Sequence, residues 1–301
     1  MKKIKFMLLT IIVFIIITNI NIVISSTKSS CILFFNKIFI TIFPFIILSD
    51  ILIYFDYHIF LKNTIGKIIS KIFNIDSNAT IVFILSILTS HPANAVYIKD
   101  LLDNKIINLE TANKLLCFTY FPSISFVIAT IGLSLYNSFK IGIIIYLFCL
   151  LNNIIIGLYL RKYKNTSFIV MPLKKKDLLS TIKASILKGI NTSIIILGNL
   201  IIFTIIINLI TKYLSINQIL LSIFSGLIEL TTGIINVSNL NINVYYKIIF
   251  TIFLLDFSSL SILFQSFSIL SDYKIDEKRI LIIKLVFSFI SLIILFLCQY
   301  F

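Results

Sequence analysis

Runs of apolar residues, each close to the roughly 20 needed to cross a bilayer as a helix, alternate along this chain with short polar, lysine-bearing stretches. Unbroken runs fall at 6–25, 32–55, 116–136, 139–160, 190–211, 244–268 and 280–300. Two further apolar stretches are interrupted. Residues 78–97 contain Thr89-Ser90-His91-Pro92-Ala93-Asn94, and residues 217–238 contain Gly226-Leu227-Ile228-Glu229-Leu230-Thr231-Thr232-Gly233. The pattern predicts an all-α, polytopic membrane protein with about seven transmembrane helices and, at the interrupted stretches, two re-entrant hairpins or broken helices. Between them, 56–75 has apolar residues at helical spacing and reads as an interfacial helix. Residues 98–115 read as a polar helix outside the bilayer.

The distribution of lysines tests this topology. Let the N-terminus be cytoplasmic and each interrupted stretch return to its own side. The basic residues of 2–5, 56–77, 98–115, 161–188 and 271–284 then share the cytoplasmic face, and only Lys28, Lys37, Lys140, Lys212 and Lys247 lie opposite. That satisfies the positive-inside rule. Residues 32–160 and 190–300 now follow one order of span, hairpin, span, span, with the hairpins entering from opposite sides. Such an inverted repeat places a binding site near the midplane, where the broken segments meet. The expected divisions are an N-terminal helix (1–29), a first half (30–160), a basic cytoplasmic loop (161–188) and a second half (189–301). The first apolar run lacks a small-x-small cleavage pattern and reads as a retained helix. A multi-pass protein of the cell membrane follows.

Composition agrees: 59% of residues are hydrophobic and the mean hydropathy is +1.08, against roughly 45–50% apolar residues in soluble domains. The net charge of +14 does not indicate nucleic acid, because the cations sit between apolar runs. The densest group, Arg161 to Lys188, faces a single acid, Asp177. It reads as a topology signal or as a contact with anionic lipid. Cys31, Cys117, Cys149 and Cys298 are scattered, as are His58 and His91, so neither a disulfide framework nor a metal site is expected. No nucleophile elbow, phosphate loop or cofactor motif is present, and an enzyme is not expected.

The candidate chemistry lies in the interruptions. No lysine or arginine falls between Lys212 and Lys247, so Glu229 has no ion-pair partner nearby in sequence. Intramembrane acids commonly mark a substrate or ion path. Glu229 either binds a cation, a proton or a polar solute, or holds the hairpin's shape by bonding Thr232 or the broken-helix backbone. Asp256, followed by Ser258, Ser259 and Ser261, either faces the same cavity or bonds helix to helix. Asp50 lies near the end of its span and reaches the interface. Thr89, Ser90, Thr231, Thr232, Ser258 and Gln265 are candidate polar contacts, joined by His91 and Asn94. Asn94 also suits a left-handed turn position. Pro92, Gly226 and Gly233 are expected to shape the hairpins, and Pro44 and Pro122 to kink their helices.

These segments resemble the YlbJ-like sporulation integral membrane proteins of the nucleoside-recognition (Gate) domain superfamily, over roughly residues 30–300. Phe43-Pro44-Phe45 with Leu48-Ser49-Asp50 is similar to the family's FPF…SE segment. Thr89 to Val96 occupies the place of SGYPxGAK, keeping Pro92 and Ala95 but neither glycine nor the lysine. Phe118 to Ile124 occupies the place of a polar FTNTSNP-like run. Gly226, Glu229, Thr231 and Gly233 fit GLxExTxG, and Leu260 to Gln265 resembles LSVHxQ with Leu263 in place of histidine. The resemblance implies a role in endospore formation and a transporter-like fold. The expected partners are the lipid bilayer and a small polar solute with a coupling cation or proton. The alternative is a non-transporting protein needed for spore envelope assembly.

Overall fold

The computed structural model describes residues 2–55, 57, 60, 64–89, 91–124, 126–162, 177–213 and 217–298. All regular structure among them is helical. Four helical stretches are long and apolar enough to cross a membrane: Phe139–Lys162, Leu178–Tyr213, Val244–Ile269 and Glu277–Cys298. Ile65–Phe73 with Ser77–Ile87 makes a fifth if that pair, bent by 110°, counts as one. The chain is a helical membrane protein.

The N-terminal region differs from the hydropathy reading. Helix α1 (Lys2–Thr18) ends at Asn19, and α2 (Ile20–Leu33) passes through a π-helical turn (Phe34–Ile38) directly into α3 (Phe39–Tyr54). Residues 26–31, expected as a loop, are therefore helical. Two of their hydroxyls bond back along the helix, Thr27 Oγ1 to the Val23 carbonyl (2.8 Å) and Ser29 Oγ to that of Ser26 (2.9 Å). Pro44 lies inside α3. The Asp50 side chain, Ser90 and His58 lie outside what is described.

The expected polar helix at 98–115 is two helices, and both are packed inside. After α4 (Ile65–Phe73) and α5 (Thr80–Thr89) come α6 (Ala93–Asp103) and α7 (Leu109–Phe118). Lys105 takes a left-handed conformation between α6 and α7 (φ 52°), and the Asn108 side chain caps α7 by accepting from the Thr111 amide (2.8 Å). Ala93 to Ile98 are all buried. The run 116–136 is also broken: residues 119–123 are non-helical, and a π-helix follows at Phe126–Leu135. Pro122, which lacks an amide hydrogen and disfavours helix at the residue before it, sits in that gap rather than in a kinked helix. The remaining helices are α8 (Phe139–Tyr159), α9 (Leu178–Tyr213), α10 (Gln218–Ile228), α11 (Leu230–Ser238), α12 (Val244–Phe257), α13 (Leu260–Ile269) and α14 (Glu277–Cys298). Ser258 and Ser259, both at positive φ, separate α12 from α13.

Polar contacts gather the basic connections at one end. Asn74 Nδ2 donates to the Arg161 carbonyl (2.9 Å) and Lys114 Nζ to the Asn74 carbonyl (2.6 Å). Lys99 pairs with Asp272, Tyr273 Oη donates to Asp103 (2.6 Å), and the Asp276 amide to Asn113 Oδ1 (2.9 Å). Lys188, near the start of α9, pairs with the buried Asp100 of α6. Lys212, near the other end of α9, donates to Asn19 Oδ1 (2.6 Å). At that opposite end Tyr136 Oη donates to the Lys247 carbonyl (3.2 Å), and Lys247 Nζ to the Ser238 carbonyl (2.9 Å). Helix α5 thus runs inward from the basic end, reverses at His91–Pro92, and returns as α6. Helix α10 starts from the opposite end, breaks at Glu229, and returns as α11.

Candidate functional site

The second reversal is built by its own residues. Glu229 is extended (φ −134°, ψ 117°), which ends α10. Its buried carboxylate then accepts from the first amides of α11, those of Thr231 (3.1 Å) and Thr232 (2.7 Å). These are donors that a helix N-terminus cannot satisfy internally, and a negative charge there is favoured by the helix dipole. Gly226 and Gly233 sit against each other across the turn: a Cβ on Gly233 would collide with the Gly226 backbone. Residues seven apart on a straight helix would be about 10 Å apart, so the two glycines are what lets the chain fold back.

The first reversal has different chemistry. The His91 amide donates to the Phe121 carbonyl (3.0 Å), and α6 begins after Pro92, whose carbonyl accepts from Ala95 (3.0 Å). Thr89 Oγ1 bonds the Leu85 carbonyl (2.9 Å). Asn94 is not in a left-handed turn; it lies in the first turn of α6, fully buried, with Nδ2 donating to Thr119 Oγ1 (3.3 Å). The chain reverses without a left-handed residue at 91–94.

The two reversals meet at a cavity of about 360 Å³, within the size range of small-molecule sites. His91 and Pro92 reach it from one side, and Glu229 and Thr231 from the other. Ser261 and Gln265 of α13, Ser123 and Thr130 of the broken segment, and Asn36 of the π-turn add polar groups to a largely apolar wall. Gln265 Nε2 donates to Ser261 Oγ (3.3 Å). Of the residues singled out in sequence, Glu229, Thr231, His91, Pro92 and Gln265 line this space, whereas Thr89, Asn94, Thr232, Ser258, Gly226, Gly233 and Asp256 do not.

Asp256 belongs to a second buried cluster. Its Oδ2 accepts from Ser291 Oγ of α14 (2.7 Å), and its surroundings include Cys149, Asn152 and Lys284. Lys284, fully buried, is the residue sequence reasoning placed at the cytoplasmic face. Its Nζ stands 5.2 Å from the centre of the Tyr120 ring, and the Tyr120 ring lies beside that of His91 (6.2 Å between centres). Two polar atoms here, Asn153 Oδ1 and Lys284 Nζ, are buried without a hydrogen bond among the described residues. The available signal was spacing, since Lys284, Ser288 and Ser291 fall at i, i+4 and i+7 on one helical face. Among the described residues no group of His, Cys, Asp or Glu is placed to hold a metal ion.

No protein family, curated protein or solved structure matches this chain.

Proposed function

We propose that this chain binds a small polar solute, and moves it across the membrane, within a Gate-type inverted repeat that serves endospore formation. In this reading the two reversals are opposed re-entrant hairpins among about seven spans, the basic end is cytoplasmic, and the halves rock about the cavity between them. The observation that supports it best is the meeting of both chain breaks at one cavity, with Glu229 in its wall. Each Glu229 oxygen accepts one backbone amide, and an ionised carboxylate offers about four acceptor sites. Capping therefore leaves acceptor capacity for a solute donor or a coupling cation. Lys284 and Asp256, the former near the Tyr120 ring that neighbours His91 of the cavity wall, supply a place for a coupling proton.

Sporulation rests on the family resemblance. The test is complementation of a deletion strain, scored as heat-resistant spores at matched membrane levels. Gln265→Leu separates solute contact from capping, because Gln265 lines the cavity without capping a helix. Loss of a charge-assisted bond is worth ~1.5–3 kcal/mol, or about ten- to a hundredfold in affinity. Spore yield should fall in both Glu229→Gln and Gln265→Leu. Full rescue by both would move the weight to a non-transporting role in spore envelope assembly. That reading is favoured by the use of both Glu229 oxygens as helix caps.

A further inference from the structure

A groove at the basic end has a composition the solute cavity lacks. It forms where α4 meets the end of α8, and its walls carry Lys67, Lys71, Arg161 and Lys162 with Asn74 and Tyr159. The two helices are brought together tightly: a Cβ on Gly157 would come within 2.7 Å of the Phe73 ring, and Asn74 Nδ2 donates to the Arg161 carbonyl (2.9 Å). All four cations are exposed, and among the described residues none of them forms an ion pair. Asp76, beside the groove in sequence, turns its carboxylate to the Asn78 amide (2.8 Å). Lys114, which donates to the Asn74 carbonyl, is held down at about 8 by burial, raised somewhat by Glu110 and lowered further by Arg279. At neutral pH Lys114 therefore stays largely protonated and adds to the positive field of the four exposed cations.

The groove also sits at a definite depth. Phe139–Lys162 is long and apolar enough to cross the membrane, so Arg161 and Lys162 mark the level where the hydrocarbon ends. Helix α4 turns 110° from the helix that follows it, as a helix lying along the interface would. It exposes Ile65, Ile68 and Ile72 beside its lysines. Below the cations, Leu151, Ile155 and Leu158 are exposed in a row on α8. Lys162 Nζ lies 4.0 Å from the centre of the Tyr159 ring, and tyrosine is enriched at this level of membranes. Cations above an apolar helix face fit one ligand chemistry: a phosphate with acyl chains attached.

We propose that this groove binds the head group of an anionic phospholipid, its phosphate among Lys67, Lys71, Arg161 and Lys162 and a chain along α8. The inference does not depend on what the central cavity carries. Its test uses the purified full chain in detergent, with lipid binding counted by native mass spectrometry. Phosphatidylglycerol and phosphatidylcholine are the two lipids, and inorganic phosphate is a separate competitor. The groove variant is K67Q/K71Q/R161Q/K162Q. The control is K274Q/K278Q, which removes two exposed cations elsewhere at the same end. Phosphatidylglycerol should bind at least about tenfold more tightly than phosphatidylcholine. The groove variant should lose that preference, and the control should keep it within about twofold. Equal binding of the two lipids, or a preference that survives in the groove variant, would overturn the proposal. Displacement of phosphatidylglycerol by millimolar inorganic phosphate would overturn the lipid as occupant and assign the groove to free phosphate.

Discussion

Two acids in apolar surroundings have different partners, and the difference decides what each can do. Glu229 ends one helix and begins another, so its carboxylate is fixed by backbone amides. Asp256 is inside a helix and answers to side chains: Ser291 by hydrogen bond and Lys284 by charge. A buried charge that loses its counter-charge is costly, while removal of both can be nearly neutral. Lys284→Met and Asp256→Asn should each lower the thermal stability of the detergent-solubilised protein. The double variant should recover part of the loss, with a coupling of ~1–3 kcal/mol. Simple additivity would show that the two charges do not sense each other. Glu229 was legible in sequence because glycines flank it and no lysine is near. Lys284 was not, because one lysine close to the start of an apolar run looks the same whether it reaches water or turns inward.

At the scale of elements, the second reversal depends on the contact between Gly226 and Gly233. A methyl group on Gly233 meets backbone, which cannot rotate aside. Gly233→Ala should therefore open the α10–α11 turn and destabilise the protein by about 1–3 kcal/mol, the usual range for overpacking. Gly198 in α9 has nothing within 4 Å of such a methyl; Gly198→Ala should be neutral or slightly stabilising. Equal melting temperatures for the two variants would mean that the glycine contact does not hold the turn. Periodicity located the interrupted stretches and the long helices at 139–160 and 190–211, but the second helix begins at Leu178, so residues 178–188 of the expected basic loop are helical. It failed where polar residues are absorbed locally. Ser26 to Ser30 read as a loop because hydroxyls count as polar, but Thr27 and Ser29 bond to carbonyls of their own helix and Ser26 accepts from Asn208 of α9. The helix at 98–115 read as peripheral because Asp100 and Lys114 are charged. Asp100 is instead paired with Lys188, and Lys114 with the Asn74 carbonyl.

The whole molecule has a basic end and an end with few charges, joined by two chain reversals that point toward each other. This arrangement of charge was visible in the lysine pattern, and the paired interruptions led to the expectation that the broken segments meet; which side chains line the shared cavity, Asn36, Ser123 and Thr130 among them, was not visible, because a linear pattern does not say which other elements pack around the breaks. The topology makes a direct prediction. Under the proposed orientation, in a Cys31→Ser/Cys298→Ser background, single cysteines at Lys67, Lys105 and Lys274 should react with an impermeant maleimide only from the cytoplasmic face. Cysteines at Asn137 and Asn241 should react only from the other. Labelling of either group from both faces, or of all five from one, would sink the opposed-hairpin arrangement.

One consequence follows from the length of α9. It is 36 residues without a break, anchored to Asp100 through Lys188 and to Asn19 through Lys212. The helical rise between those two lysines is about 36 Å, slightly more than the roughly 30 Å of hydrocarbon in a typical bilayer. An unbroken helix cannot shorten, so in a thinner membrane it must tilt, and its two anchors must shift sideways in opposite directions. One anchor is the return arm of the first reversal, and the other is the junction of α1 and α2. The helix is a ruler laid across the membrane, and bilayer thickness becomes a quantity that the packing around the cavity can sense.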